Sequence, residues 1–302
     1  MGCAPGHLLD DRYRLGSVLG RGGMATVYAA ADLKLGRPVA VKLFHPGADE
    51  PTFARLETEA TLLGGLSHPG LLKVYDICVA GGEPYLVMQL IDGCTLRQSI
   101  NEGRLRPVVV ARLGARLAET LAYVHSRQIV HRDIKPSNVL PDDTGTGYLA
   151  DFGIATLIGG ARLTRTGHCM GTAAYLAPEQ VSGDEARTPV DIYALGLVLL
   201  ECLTGRVEYP GTEAESAIAR LSRSPRVPGW VPSALRETIG AMTARRQASR
   251  PDARACVRMF EDYLARPNRA VEPLTVVTSV ETPTKVALLD RKSTRLNSSH
   301  ER

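Results

Sequence analysis

The hydrophobic period of the chain changes once, near residue 90, and that change limits the fold more than any other feature. From about residue 12 to 90, apolar residues come in short β-rich runs at 13–19, 25–30, 38–43, 72–78 and 85–90, punctuated by Gly, Asp and Pro. Runs of that length, so bounded, predict an antiparallel sheet. One helical pattern interrupts them, from about Thr52 to Leu66. From 91 to 266 the pattern is mostly helical. Val110, Leu113, Leu117, Leu121 and Val124 step by three and four, which predicts an amphipathic helix with one apolar stripe. The longest apolar run, Tyr193 to Leu200, stops at Glu201 and predicts a buried helix. An α+β architecture follows, with a small β lobe over 12–90, a larger helical lobe over 91–266, and a crevice between them suited to a ligand.

Composition removes several classes of function. Lys and Arg number 36 against 32 Asp and Glu, a net charge of +4 over 302 residues, which is too slight a basic excess to argue for nucleic acid. No stretch approaches the roughly eighteen apolar residues of a membrane span. The cysteines at 3, 78, 94, 169, 202 and 256 are scattered, without a Cys-x-x-Cys pair or clustered His, so neither a zinc site nor a disulfide framework is indicated. A reducing compartment is the simple reading. Only six basic residues are Lys, at 34, 42, 73, 135, 285 and 292. An ammonium is a compact point charge and a guanidinium a wide planar fork, so a Lys kept in an Arg-rich chain marks a place where chemistry can demand the smaller cation.

The ends are set apart from the folded part. Residues 1–11 read as an N-terminal extension, and 267–289, rich in Pro, Thr and Val without clear period, read as a truncated linker. Residues 290–302 lack helical or strand periodicity and resemble one reading frame of a widely used sequencing-library adapter, an artefact to exclude from fold reasoning.

The chemistry begins in Leu19-Gly20-Arg21-Gly22-Gly23-Met24-Ala25-Thr26-Val27, between two strand patterns. Glycines let backbone N–H groups approach a phosphate with no Cβ in the way. Alone, the segment is equally a hairpin turn, and Ala25 replaces the third glycine of the usual G-x-G-x-x-G. Lys42 ends the apolar strand Val39-Ala40-Val41-Lys42, one strand on, where an ammonium could reach phosphate oxygens. In the helical pattern that follows, Glu59 shares the stripe of Leu56, Leu63 and Leu66. A carboxylate on an apolar stripe is costly unless paired, so Glu59 is the better partner for Lys42.

The segment His131-Arg132-Asp133-Ile134-Lys135-Pro136-Ser137-Asn138-Val139-Leu140 is followed, eleven residues past Leu140, by Asp151-Phe152-Gly153. Asn138 and Asp151 supply the hard oxygen ligands that a metal-nucleotide site needs. Asp133 offers a base for a hydroxyl nucleophile, and Lys135 can neutralise charge on a transferring phosphoryl group. Each alone is weak; their order and spacing together are not.

At these residues the chain resembles the protein-kinase family over about 12–266, closest to the bacterial eukaryotic-like (Hanks-type) Ser/Thr kinases, whose loop commonly reads Gly-x-Gly-Gly-Met as at 20–24. The resemblance implies a two-lobed kinase fold using ATP with Mg²⁺ or Mn²⁺. Residues 19–27 would cover the phosphates, with Lys42 holding them while paired to Glu59. Asp133 would be the base, and Asn138 and Asp151 the metal ligands. Met88 looks like the gatekeeper; the backbone of Gln89 and Ile91 would bind adenine, with Val27, Ala40 and Leu140 sandwiching the ring. Gly171-Thr172-Ala173-Ala174-Tyr175-Leu176-Ala177-Pro178-Glu179 resembles the end of an activation segment, Asp191 begins a helix like the one that anchors the catalytic loop, and Arg250 is expected to pair with Glu179.

Lys135 and Thr172 resemble Ser/Thr rather than tyrosine kinases, which implies a non-specific serine/threonine protein kinase acting on protein Ser/Thr hydroxyls. Thr164-Arg165-Thr166 matches a Thr-x-Thr that relatives often autophosphorylate, with Arg132 the cation for such a phosphate. A pseudokinase-type nucleotide-binding scaffold is the alternative, although Lys42, Glu59, Asp133, Asn138 and Asp151 are all present. Small-molecule kinases share the fold but usually lack the Ala-Pro-Glu segment. Relatives often dimerise through the small lobe. The resemblance also implies a cytoplasmic kinase domain, and many relatives carry a membrane span and an extracellular sensor after such a linker, here beyond residue 289.

Overall fold

The computed structural model describes residues 6–23, 25–45, 64–80, 83–142, 147–151 and 173–266. Strands β1 (Leu8–Leu9), β2 (Tyr13–Arg21), β3 (Ala25–Asp32), β4 (Arg37–Phe44), β5 (Val74–Ala80) and β6 (Glu83–Met88) form one antiparallel sheet in the order β1-β2-β3-β4-β6-β5. The five longer strands fall where the apolar runs predict them. β1 is an addition, paired Leu9 to Tyr13, from a stretch too short to show a period.

Alternation gives this sheet two different faces. Val39, Val41 and Leu43 of β4 enter a core with Leu15, Tyr28, Tyr85 and Val87. Ala40 faces the other way, into a separate apolar cluster with Leu86 and Met88, against which Val27, Leu72, Val74 and Leu90 pack. Lys42 lies two residues past Ala40 and so on that second face.

The helical lobe follows as α1 (Leu96–Glu102), α2 (Pro107–His125), α3 (Pro178–Ser182), α4 (Pro189–Thr204), α5 (Glu213–Ser222), α6 (Ser233–Met242) and α7 (Ala253–Leu264). Between α2 and α3 a two-stranded hairpin pairs β7 (Val139–Pro141) with β8 (Gly147–Leu149). Proline at the first position of α2, α3 and α4 starts each helix without wasting an N–H. Gly205, at φ +69°, ends α4 in the left-handed conformation that glycine adopts without a steric penalty. The predicted stripe of α2 is buried throughout, Val110, Leu117, Leu121 and Val124 completely. It packs on α7 and α4, and Gly114 makes the approach to α7 possible, because a Cβ there would lie 2.7 Å from Phe260 Cζ.

α4 is the buried helix expected from the run at 193–200, but it continues to Thr204 with Glu201 inside the protein at 2% exposure. The end of the apolar run is therefore not the end of burial. Among the described residues, no helix is long and apolar enough to cross a membrane. The helix expected over 52–66 lies almost wholly outside the described residues.

Candidate active site

The site is built where the second face of the sheet meets the hairpin of the helical lobe. β4 pairs Lys42 with Val27 on one side and Leu86 on the other, which fixes the ammonium beside the glycine turn and over the apolar cluster. Lys42 Nζ donates to Asp151 Oδ1 at 2.8 Å, joining the two lobes through one ion pair. Burial alone would raise the Asp151 carboxyl, but the Lys42 ammonium and its hydrogen bond override that and hold it below the usual carboxylate range.

The turn between β2 and β3 is closed by the Gly22 N–H donating to the Ala25 carbonyl at 2.9 Å. A Cβ on Gly20 would meet nothing within 4 Å. Packing among the described residues therefore gives no reason for glycine at 20, whereas close approach of an external group does.

The catalytic-loop segment hangs from one carboxylate. Asp191, 1% exposed on α4, accepts from the backbone N–H of His131 and of Arg132, each at 2.8 Å, and from His125 Nε2 at 2.8 Å. Held in this way, Arg132 takes φ +63°, a left-handed backbone that a non-glycine residue adopts only when its surroundings enforce it. His131 is completely buried, which lowers its pKa and keeps it neutral. Its Nδ1 accepts from the Asp133 N–H at 3.3 Å.

These constraints deliver Asp133 with its two oxygens in different situations. Oδ2 accepts from Lys135 Nζ at 2.8 Å and from Asn138 Nδ2 at 2.9 Å. Oδ1 is buried and has no hydrogen-bond partner among the described residues. The Asn138 amide nitrogen also donates to the Asp133 carbonyl at 2.9 Å, so its own oxygen is left for another ligand. The hairpin brings Asn138 and Asp151 together: β7 and β8 pair Val139 with Leu149, and the next step has Ala150 N–H donating to the Asn138 carbonyl at 2.9 Å. Asp151 follows at φ +52°. A small pocket beside Asp133 is lined by Arg132, Tyr175, Leu176, Gln180 and Asp191.

The structure thus brings Lys42, Asp133, Lys135, Asn138 and Asp151 to one place. Val27, Ala40 and Met88 meet in the apolar cluster, and Leu140 stands in β7, between Asn138 and Asp151 in the chain. Leu19, Gly20 and Arg21 end β2, Gly22 and Gly23 form the turn, and Ala25 and Thr26 begin β3. Gln89 and Ile91 follow β6, and the Gln89 N–H already donates to the Lys73 carbonyl at 2.8 Å. Met24, Glu59, Thr164, Thr166 and Thr172 lie outside the described residues, and with them the expected Lys42–Glu59 pair.

Two groups at the site are not visible in the sequence motifs. His125 ends α2 as an ordinary polar residue, yet it is the third donor to Asp191. Arg97 on α1 donates to Glu201 at 2.6 Å and to the Tyr175 hydroxyl at 2.5 Å, while that hydroxyl donates to Glu201 at 2.5 Å. This triad ties the turn before Ala177-Pro178-Glu179 to the last turn of α4. Further down, Glu179 receives a two-pronged ion pair from Arg250, as the motifs predict.

A protein kinase domain model matches residues 13–260. Serine/threonine-protein kinase PrkC of Bacillus subtilis is 39% identical over 233 residues, 76% of this chain and 36% of that protein. Serine/threonine-protein kinase PknL of Mycobacterium tuberculosis is 39% identical over 251 residues, 80% of this chain and 63% of its own. PknB of the same organism is 40% identical over 246 residues, 78% of this chain and 39% of its own. The chain spans 36% to 63% of the length of these relatives. With the two-lobed fold, the clustered Lys42, Asp133, Asn138 and Asp151, and a match that runs through both lobes, the chain belongs to the protein kinase family.

Proposed function

We propose that the chain is an ATP-dependent serine/threonine protein kinase that transfers the γ-phosphate of ATP to protein Ser/Thr hydroxyls. The observation that carries this reading is Asp133: one carboxylate oxygen is pinned by Lys135 and Asn138, and the other is buried with no partner among the described residues. A buried carboxylate oxygen without a donor is destabilising unless a donor arrives, and a substrate hydroxyl is such a donor.

The residues also fit a nucleotide with its metal. Asn138 and Asp151 present oxygens at the open end of one hairpin, and a magnesium or manganese ion held there would neutralise charge on the phosphate oxygens. Lys42 lies 2.8 Å from Asp151 and beside the glycine turn, where its ammonium orients phosphate. Residues 19–27 cover the phosphates, the Met88 gatekeeper closes the apolar cluster, and Val27, Ala40 and Leu140 receive the adenine, with backbone contacts from Gln89 and Ile91. Glu59 orients Lys42 from the helix expected over 52–66.

In the reaction Asp133 Oδ1 takes the proton of the Ser or Thr hydroxyl as that oxygen bonds to the γ-phosphorus. The bond to the bridging β,γ-oxygen breaks and ADP leaves. Lys135, bonded to Asp133 Oδ2, lies within reach of the developing charge. Positioning and electrostatics supply most of the acceleration in this chemistry.

Thr164 and Thr166 are autophosphorylated, with Arg132 the cation their phosphate engages, and Thr172 sits in the substrate loop. The kinase works on the cytoplasmic side, where ATP is found, and pairs with a second copy through the small lobe. The test is incubation with Mg²⁺ and ATP beside Asp133→Asn, with phosphates mapped by mass spectrometry. Phosphate on Thr164 or Thr166 in the unsubstituted chain alone is expected; phosphate in neither form would overturn the reading. Light scattering of the same samples tests the dimer.

A further inference from the structure

β4 ends at Phe44, whose partner in β3 is Ala25, so the next residue, His45, comes level with the glycine turn. Its imidazole spans that turn. Nδ1 lies 3.1 Å from the Gly23 carbonyl and Nε2 lies 3.0 Å from Thr26 Oγ1. A carbonyl only accepts, so Nδ1 carries the proton; in the neutral ring Nε2 then accepts from the Thr26 hydroxyl. Thr26 is 5% exposed, so this bond is formed on the inner side of the strand, while the ring itself stands at the surface.

The geometry matters because of what it holds. A segment with three glycines among four residues, 20 to 23, has high backbone entropy, and among the described residues the Gly22-to-Ala25 bond is the backbone bond that closes it. His45 adds two bonds from the neighbouring strand, one to each side of the turn.

We propose that His45 is a positioning residue for the glycine turn, clamping the Gly23 carbonyl to the Thr26 hydroxyl so that the turn is already shaped when ATP arrives. This rests on the reading of residues 19–27 as the nucleotide loop. Without the clamp, ATP must order the turn as it binds, and that ordering lowers affinity. Once ATP is bound the turn is ordered in either case, so the effect falls on binding and not on turnover.

The test uses the full chain with Mg²⁺ and the fluorescent nucleotide mant-ATP, beside steady-state ADP release. His45→Ala is expected to raise the mant-ATP Kd and the KM for ATP about three- to ten-fold, the loss of one to two modest hydrogen bonds. The same variant should leave kcat within about two-fold and the melting temperature unchanged. Thr26→Val should likewise raise the mant-ATP Kd. The double variant should be no weaker than the worse single one, because both remove one clamp. His45→Asn, whose amide nitrogen stands near the place of Nδ1, should recover part of the affinity.

Unchanged nucleotide affinity in His45→Ala, or additive losses in the double variant, would overturn the clamp. Gly22→Val separates the two readings. If it weakens mant-ATP while His45→Ala does not, the clamp alone fails; if neither weakens it, the nucleotide-loop reading fails too.

Discussion

Arg250 and Glu179 meet fork to fork, Nη1 on Oε1 at 2.6 Å and Nη2 on Oε2 at 2.7 Å, with both side chains buried. The same guanidinium donates from Nε to the Ala244 carbonyl at 2.8 Å and from Nη1 to that of Pro189 at 3.0 Å. One residue thereby joins α3, the start of α4 and the loop before α7. Removing one member of a buried pair leaves an uncompensated charge, which costs about 3–5 kcal/mol. Glu179→Ala is therefore expected to lower the melting temperature by about 6–20 °C at roughly 2–4 °C per kcal/mol. The double variant Glu179→Leu/Arg250→Met should be less damaged than the sum of its singles; strict additivity in calorimetry would refute the pairing account.

Asp133→Asn keeps the shape of the carboxylate and removes its basicity. Turnover should fall about 10²–10⁴-fold, with mant-ATP binding retained. Lys42→Met should also abolish transfer, since it removes the cation beside Asp151 and the glycine turn. ADP release by both variants checks this, and normal turnover in either would strike that residue from the mechanism.

Gly114→Ala sets two effects of opposite sign against each other. Within a helix, Gly to Ala ordinarily stabilises by about 0.5–1 kcal/mol. Here the new methyl would lie 2.7 Å from Phe260 and 3.0 Å from Leu199. Overpacking costs about 1–3 kcal/mol, so a net loss is expected in urea unfolding. A gain would mean that α2 and α7 can move apart at little cost.

Strong acid should weaken the sheet. Arg12 bonds both oxygens of Asp32, at 3.0 and 2.9 Å, and that pairing holds the carboxyl down at about 2 against an ordinary 3.8. Because the folded value lies below the unfolded one, the contribution is complete above about pH 4 and is lost as pH falls through about 2. Asp32→Asn should be less stable at pH 7 and should lose less stability across that window. Parallel pH curves for the two forms would show that Asp32 is not the titrating group.

The sequence made the two-lobe architecture legible because long elements display their period. The stripe of α2 and the alternation of β4 need only local spacing, and both fold as read. β1, two residues long, and the three-residue strands β7 and β8 carry no period to read. Motif spacing singles out Asp133, Asn138 and Asp151 as candidates, but nothing in it announces that Asp133 Oδ2 is pinned while Oδ1 stays without a partner among the described residues. Glu201 shows the limit most clearly. As a charge ending an apolar run it looks like a boundary, yet Arg97, 104 residues earlier, neutralises it inside the lobe. His45 and His125 gave no signal either, since each works through partners that only the folded chain brings near.

Asp191 receives the amides of His131 and Arg132 from the first turn of the most deeply buried helix. Those two amides can exchange with deuterated solvent only when the lobe itself opens, so their protection should equal that of the slowest amides of α4. The catalytic loop then has no private melting transition. Heat inactivation and global unfolding should coincide at one temperature, and a warmed sample should consist of competent molecules and unfolded ones with no folded but inactive population between them.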